Sequence, residues 1–138
     1  MPNAGQILIH KNFVYENGAS GIKLCIVLNT CGDDDKCLVL KTTSQPKWYA
    51  GVKKGCNLDR KVHCIRKDCD QWFKVDTFVQ LDNVYPIIVS KLLNDGQITF
   101  VSSLHDHCLT TLKKCLRSRK DDIPEQFWKL IYAPTPPK

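Results

Sequence analysis

The chain of 138 residues lacks any apolar run approaching the ~20 residues that a helical membrane span requires, so no such span is expected. Its opening residues, Met1-Pro2-Asn3-Ala4-Gly5-Gln6, have neither the basic start nor the long apolar stretch of a signal peptide, and the expected location is the cytoplasm. No internal repeat is visible, which removes repeat architectures. Paired Cys-x₂₋₄-Cys knuckles, the usual mark of structural zinc, are also missing. The one dense group of soft ligands is Cys56, His63, Cys64 and Cys69, and zinc held there is a minority alternative to a chain without metal or cofactor.

Apolar residues make up 43% of the chain and charged ones 25%, an ordinary soluble composition. That length and composition suit one domain over residues 1–133 with its own core, followed by a loose Pro-rich tail at 134–138. In a reducing compartment the eight cysteines are expected as thiols, with Cys25, Cys108 and Cys115 as core residues, and disulfides from the even count are the lesser alternative if the chain is exported by an unrecognised route. The net charge of +6 is concentrated at residues 47–67 and 113–120. Such patches favour a polyanion, RNA or DNA, or an acidic protein, although a solvated lysine face has the same composition.

Residues 6–13 read as a strand with Ile7 and Ile9 on one face and Leu8 and His10 on the other. Two further apolar runs, 22–28 and 38–40, flank a turn-forming loop with Gly32 and three successive aspartates, Asp33, Asp34 and Asp35. Short strands are expected at 62–65, 71–75, 77–81, 84–89 and 97–100, with 46–55 as an exposed loop. Ser103 is the expected N-cap of a helix striped by Leu109, Leu112 and Leu116. Pro124 fits the first turn of a last helix carrying Phe127, Trp128, Leu130 and Ile131. Short strands followed by helices predict a mainly β (α+β) fold, a small curved sheet or open barrel with C-terminal helices packed on one side.

Pairing the two apolar runs as an antiparallel hairpin, with Leu28 opposite Leu38, brings Lys23 opposite Thr43 by counting outward. A cation beside a hydroxyl can hold a phosphate. Taken alone, Lys23 is also the kind of lysine that discourages sheet edges from associating, and Thr42 and Thr43 are ordinary strand residues.

Four segments in order carry a likeness. They are Gly5-Gln6-Ile7-Leu8-Ile9, Gly21-Ile22-Lys23-Leu24-Cys25-Ile26-Val27-Leu28, Leu40-Lys41-Thr42-Thr43-Ser44-Gln45 and Asp76-Thr77-Phe78-Val79-Gln80-Leu81-Asp82-Asn83-Val84. Together they resemble the MazF/PemK family of toxin ribonucleases over residues 5–116, the leucine-bearing helix included. The resemblance implies an SH3-like barrel and a homodimer. The implied activity is sequence-selective, metal-independent cleavage of single-stranded RNA by 2′-hydroxyl attack on the adjacent phosphate. An antitoxin protein would be the controlling partner within a toxin–antitoxin or related defence system.

By the same resemblance the catalytic pair is Lys23 and Thr43, with Thr42, Ser44 and Gln45 beside the RNA. The sequence departs from the family where arginine is expected at Lys23, proline at Leu24 and glutamine at Asn83, and Tyr85-Pro86 stands where many members have arginine. Lysine gives a full charge without the fork that grips two phosphate oxygens. A binding module that keeps the fold but not the rate, taking nucleic acid or a protein partner, is therefore the alternative reading.

Lys47, Trp48, Tyr49, Lys53 and Lys54 have the composition of a single-stranded RNA surface, aromatics for stacking and lysines for phosphates. The alternative is that Trp48 and Tyr49 fold back as packing while the lysines stay solvated. His105 and His107 flank a helix start on different faces and read as surface or capping residues.

Overall fold

The computed structural model describes residues 3–14, 18–31, 35–44, 49, 51–65 and 75–132. The strands are β1 (Gln6–Val14), β2 (Ser20–Val27), β3 (Lys36–Thr43), β4 (Gly55–Asn57), β5 (Val62–Ile65), β6 (Thr77–Gln80), β7 (Tyr85–Ile88) and β8 (Ile98–Ser103). The helices are α1 (Val89–Asn94), α2 (Asp106–Arg117) and α3 (Glu125–Tyr132). Hydrogen bonds join the strands in one eight-stranded sheet of order β4-β5-β6-β3-β2-β1-β8, with β7 on β3 off that path. Each pairing is antiparallel. The fold is thus mainly β with helices, as the sequence predicts, and the sheet is open, with β4 and β8 at its ends. Among the described residues no helix is long and apolar enough to cross a membrane.

β3 is the pivot. One of its edges runs along β2, while the other is shared by β7, against Lys36 to Val39, and β6, against Thr42 and Thr43. A strand with neighbours on both edges and layers on both faces cannot show water much of its surface, and Cys37, Leu38, Val39 and Leu40 are all fully buried.

Strand alternation divides the apolar residues between two cores. Ile7, Ile26, Leu28, Leu38 and Leu40 face the C-terminal helices and meet Leu112 and Leu116 of α2 and Ile131 of α3. Leu8, Cys25, Val27, Cys37 and Val39 face the other way and meet Val89 of α1 and Ile98 of β8. The leucine stripe of α2 is the expected one, with Leu112 and Leu116 fully buried and Leu109 half-buried. Burying each such leucine stabilises the fold by about 1.5–3 kcal/mol.

Gly5, just before β1, lies against Leu109 of α2. Its N–H donates to the Val27 carbonyl at 2.7 Å and its carbonyl accepts from Leu104 at 2.8 Å. Its φ of +93° suits a residue without Cβ, and a Cβ there would sit 3.2 Å from Leu109 Cδ2. Gly5→Ala is expected to lower unfolding free energy by about 1–3 kcal/mol, read by urea denaturation. An unchanged midpoint would show that Leu109 gives way and that the backbone relaxes.

Several expectations need correction. Ser103 is not a helix cap: it still pairs with Gln6 in the β1–β8 ladder, and α2 starts at Asp106 behind an extended His105. The segment expected as a loop at 46–55 ends in strand, because Gly55 opens β4. The six-residue α1 was not anticipated, being too short for a helical period to show. Of the strand expected at 71–75, residues 71–74 lie outside the described residues, and Val75 is in a bend; the tail at 134–138 also lies outside. The cysteines are not all thiols, since Cys31 is bonded to Cys37 and Cys56 to Cys115. Cys25, Cys64 and Cys108 take no part in either bridge.

Candidate functional site

The β2–β3 hairpin forms in the register expected from sequence. Cys25 pairs with Lys41, Ile26 with Leu40 and Val27 with Val39, and the Leu28 N–H donates to the Leu38 carbonyl at 2.8 Å. Continuing the same count sets Lys23 level with Thr43. The Lys23 side chain does reach β3 there, its Nζ donating to the Thr42 carbonyl at 3.4 Å. On the other edge of β2, Lys23 pairs directly with His10 of β1. His10 and Lys23 therefore face each other across β1 and β2, the extended β2–β3 count adds Thr43 to their row, and the next row inward holds Leu8, Cys25 and Lys41. Directly opposed residues carry Cβ atoms about 4.5–5.5 Å apart, within reach of one phosphate.

His10 and Lys41 were not singled out by the sequence reading. His10 is 8% exposed and Lys41 only 7%, both on the face that holds the Leu8–Cys25–Val39 core. Their surroundings are aromatic: the His10 ring meets Phe13 edge-on at 5.5 Å, Phe13 meets Tyr85 edge-on at 4.8 Å, and Lys41 Nζ lies 5.5 Å from the Tyr85 ring centre. Period-two alternation carries the signal for Lys41, which follows Cys37 and Val39 on an inward face and pairs with the neighbour of Lys23 two residues on.

Burial first, and then the nearby charge of Lys41, push the Lys23 ammonium below its ordinary range, while Cys25 acts in the opposite direction. Burial pushes the Cys25 thiol up to about 12 against the pull of both lysines, so it is neutral and unreactive. Burial also holds His10 below its ordinary value, which leaves the imidazole neutral at pH 7. The Asn12 N–H donates to His10 Nδ1 at 3.2 Å, so the neutral ring carries its proton on Nε2. Two cations on adjacent strands and an N–H donor form a site that an anion stabilises.

The remaining expected residues divide by position. Thr42 lies on the opposite face of β3, 3% exposed, with its hydroxyl donating to the Leu24 carbonyl at 2.9 Å. Ser44, Lys53 and Lys54 are exposed. Tyr49 adopts the packing alternative: its ring stacks on Phe78 at 5.2 Å and its hydroxyl accepts from Gln80 Nε2 at 2.9 Å. Gln45, Lys47 and Trp48 lie outside the described residues.

The zinc alternative does not assemble. Cys56 is consumed by its bond to Cys115, and Cys64 packs with Val62 and Phe78 while its strand neighbour His63 alternates to the other face. Cys69 lies outside the described residues, among which no three metal-ligating side chains cluster. His105 and His107 are exposed. Asp33 and Asp34 lie outside the described residues. Asp35 accepts from the Ser90 N–H at 2.5 Å at the start of α1, and hydrogen bonds from the Ser90 hydroxyl first and its N–H second hold the carboxyl below the ordinary range.

Compared with family models, curated proteins and solved structures, the chain matches none.

Proposed function

We propose that this chain is a metal-independent endoribonuclease of the MazF/PemK kind. In this reading it has their SH3-like arrangement and works as a homodimer in a toxin–antitoxin or related defence system, where an antitoxin covers its RNA groove. The observation that supports the reading is the row His10–Lys23–Thr43, with Lys41 behind it.

In the proposed reaction the 2′-oxygen of a ribose bonds to the adjacent phosphorus and the bond to the 5′-oxygen breaks, leaving a 2′,3′-cyclic phosphate. Water takes the 2′-hydroxyl proton. Lys23 neutralises charge on the phosphate oxygens, and its weakened hold on its proton suits it to protonate the departing 5′-oxygen. The Thr43 hydroxyl positions the phosphate, His10 Nε2–H donates to a non-bridging oxygen, and Lys41 contributes charge from the row behind.

The test is incubation of purified protein with a long single-stranded RNA in chelator, with fragment ends mapped. Cuts bearing 2′,3′-cyclic phosphate are expected. Thr43→Ala should slow them roughly 10²-fold without changing the circular dichroism spectrum, a loss of the size seen when one transition-state contact is removed. Lys23→Arg should accelerate cleavage, because its fork holds two oxygens at once. Cleavage indifferent to both substitutions would overturn the site.

A second reading is favoured by lysine itself at position 23, tethered to the Thr42 carbonyl and lacking that fork. In it the same row binds RNA without cutting it. Intact RNA that nevertheless binds through Lys23 and Thr43 would select this module.

A further inference from the structure

The second basic patch of the sequence has a defined place in the fold. Thr110, Lys113, Lys114 and Arg117 of α2 line a cleft of about 370 Å³ whose opposite wall is Ile131 and Tyr132 of α3. This volume is at the low end of the range for small-ligand sites, roughly 300–1,000 Å³. The three cations fall within a little over one helical turn and share one side of α2.

The aromatic wall is fixed. The Tyr132 hydroxyl donates to the Lys113 carbonyl at 2.6 Å, and its ring stands 4.2 Å from that of Trp128. Both Arg117, at 4.7 Å, and Lys113, at 5.5 Å, are drawn to the Tyr132 ring centre. Burial and the adjacent Arg117 push the Lys113 ammonium below its ordinary range, and burial pushes the Tyr132 hydroxyl up to about 12, so it remains a neutral donor.

No carboxylate is among the described residues lining this cleft. Of the acids nearby in sequence, Asp122 pairs with Arg119 at 2.7 Å and Glu125 with Lys129 at 3.6 Å. Rings attract cations, which explains why two of the three gather on Tyr132, but a ring cannot neutralise three charges.

We infer that the α2–α3 cleft is an anion site for a phosphate-bearing ligand with at least two negative charges, supplied either by a free nucleotide or by neighbouring phosphates of a nucleic-acid strand. The site is separate from the Lys23 row, because α2 and α3 pack on the opposite face of the sheet. A lone carboxylate would leave two of the three cations unmatched, whereas a diphosphate offers charge to all three and a geometry that the Arg117 fork can grip.

Amide NMR titration of the intact protein with inorganic pyrophosphate tests the inference, because it reports where the probe sits. Resonances of residues 110–117 and 131–132 are expected to move. Lys114→Gln should weaken pyrophosphate at least tenfold while leaving the Tyr132 clamp intact, since Lys114 is exposed and makes none of its ring contacts. Lys113→Gln with Arg117→Gln should abolish the shifts. Adenosine diphosphate binding more tightly than a short RNA assigns the source to a free nucleotide, and the reverse order, with strong salt dependence, assigns it to a strand. Pyrophosphate that leaves these resonances unmoved, or that binds Lys114→Gln as well as the parent, would overturn the site, whatever the outcome at Lys23 and Thr43.

Discussion

Replacing Cys56 and Cys115 together by alanine is expected to cost about 4 kcal/mol of unfolding free energy, the figure that loop-closure entropy assigns to a cross-link of roughly 60 residues. The two cysteines are 59 residues apart and tie β4 to α2. β4 has only three residues and lies at one end of the sheet with β5 as its neighbour, so few ladder hydrogen bonds hold it. The bridge anchors this strand to the helix whose leucines fill the larger core.

Cys31–Cys37 spans only six residues, and the same relation gives about 2 kcal/mol for it. The expected order in urea is therefore parent, then Cys31→Ala with Cys37→Ala, then Cys56→Ala with Cys115→Ala, with dithiothreitol lowering the parent below all three. Against a typical total of 5–15 kcal/mol, the larger loss is a substantial fraction of the stability. Equal midpoints for the two double variants would show that chain closure is not what the long bridge supplies.

That bridge illustrates what the sequence could not reveal. Cys115 follows the α2 stripe as a buried residue, as expected, but nothing local in residues 56 or 115 marks them as neighbours, because only helix docking brings them together. The hairpin lies at the other extreme. One loop joins its strands and a one-residue slip would turn Ile26 and Leu40 out of the core, so alternation and counting are enough to place Lys23 by Thr43. Extending this reasoning to β1 was not feasible without its partner, and so the pairing of His10 with Lys23 was not visible.

Tyr49 was ambiguous because an aromatic suits a base and a protein ring equally; Phe78, on a strand nearly 30 residues later in the chain, settles its position. The basic run at 113–120 was legible as charge. Its concentration onto one aromatic wall depends on α3 folding back to place Tyr132 beside Arg117.

Acidification from pH 7 to pH 4 is expected to remove about 3 kcal/mol through His63 alone. The residue sits on β5, the strand next to the sheet's end, paired with Cys56 on β4 and Val79 on β6, and is 3% exposed. Its Nδ1 is buried with no hydrogen-bond partner among the described residues. Burial holds its pKa down to about 4, against 6.5 for the ordinary side chain. Above about pH 6.5 the ring is neutral in both the folded and the unfolded chain, and His63 adds no pH dependence. Between about 6.5 and 4 the unfolded chain takes up a proton that the folded one refuses, so stability falls as pH falls; below about 4 both are charged and the loss levels off.

His63→Leu should flatten most of this slope, leaving the smaller same-sign contribution of His10, whose pKa is also lowered. At pH 7 leucine should cost little or even stabilise, because it removes a buried polar atom that lacks a partner. Urea midpoints at half-unit intervals of pH check both points, and parallel curves for parent and His63→Leu would sink the assignment. Because Cys56 is the cross-strand partner of His63, the two predictions are coupled. Freeing β4 by removing its bridge should admit water to the imidazole, raise its pKa toward 6.5 and shrink the acid slope. In a double comparison the bridge and the histidine should therefore contribute less than additively to acid sensitivity.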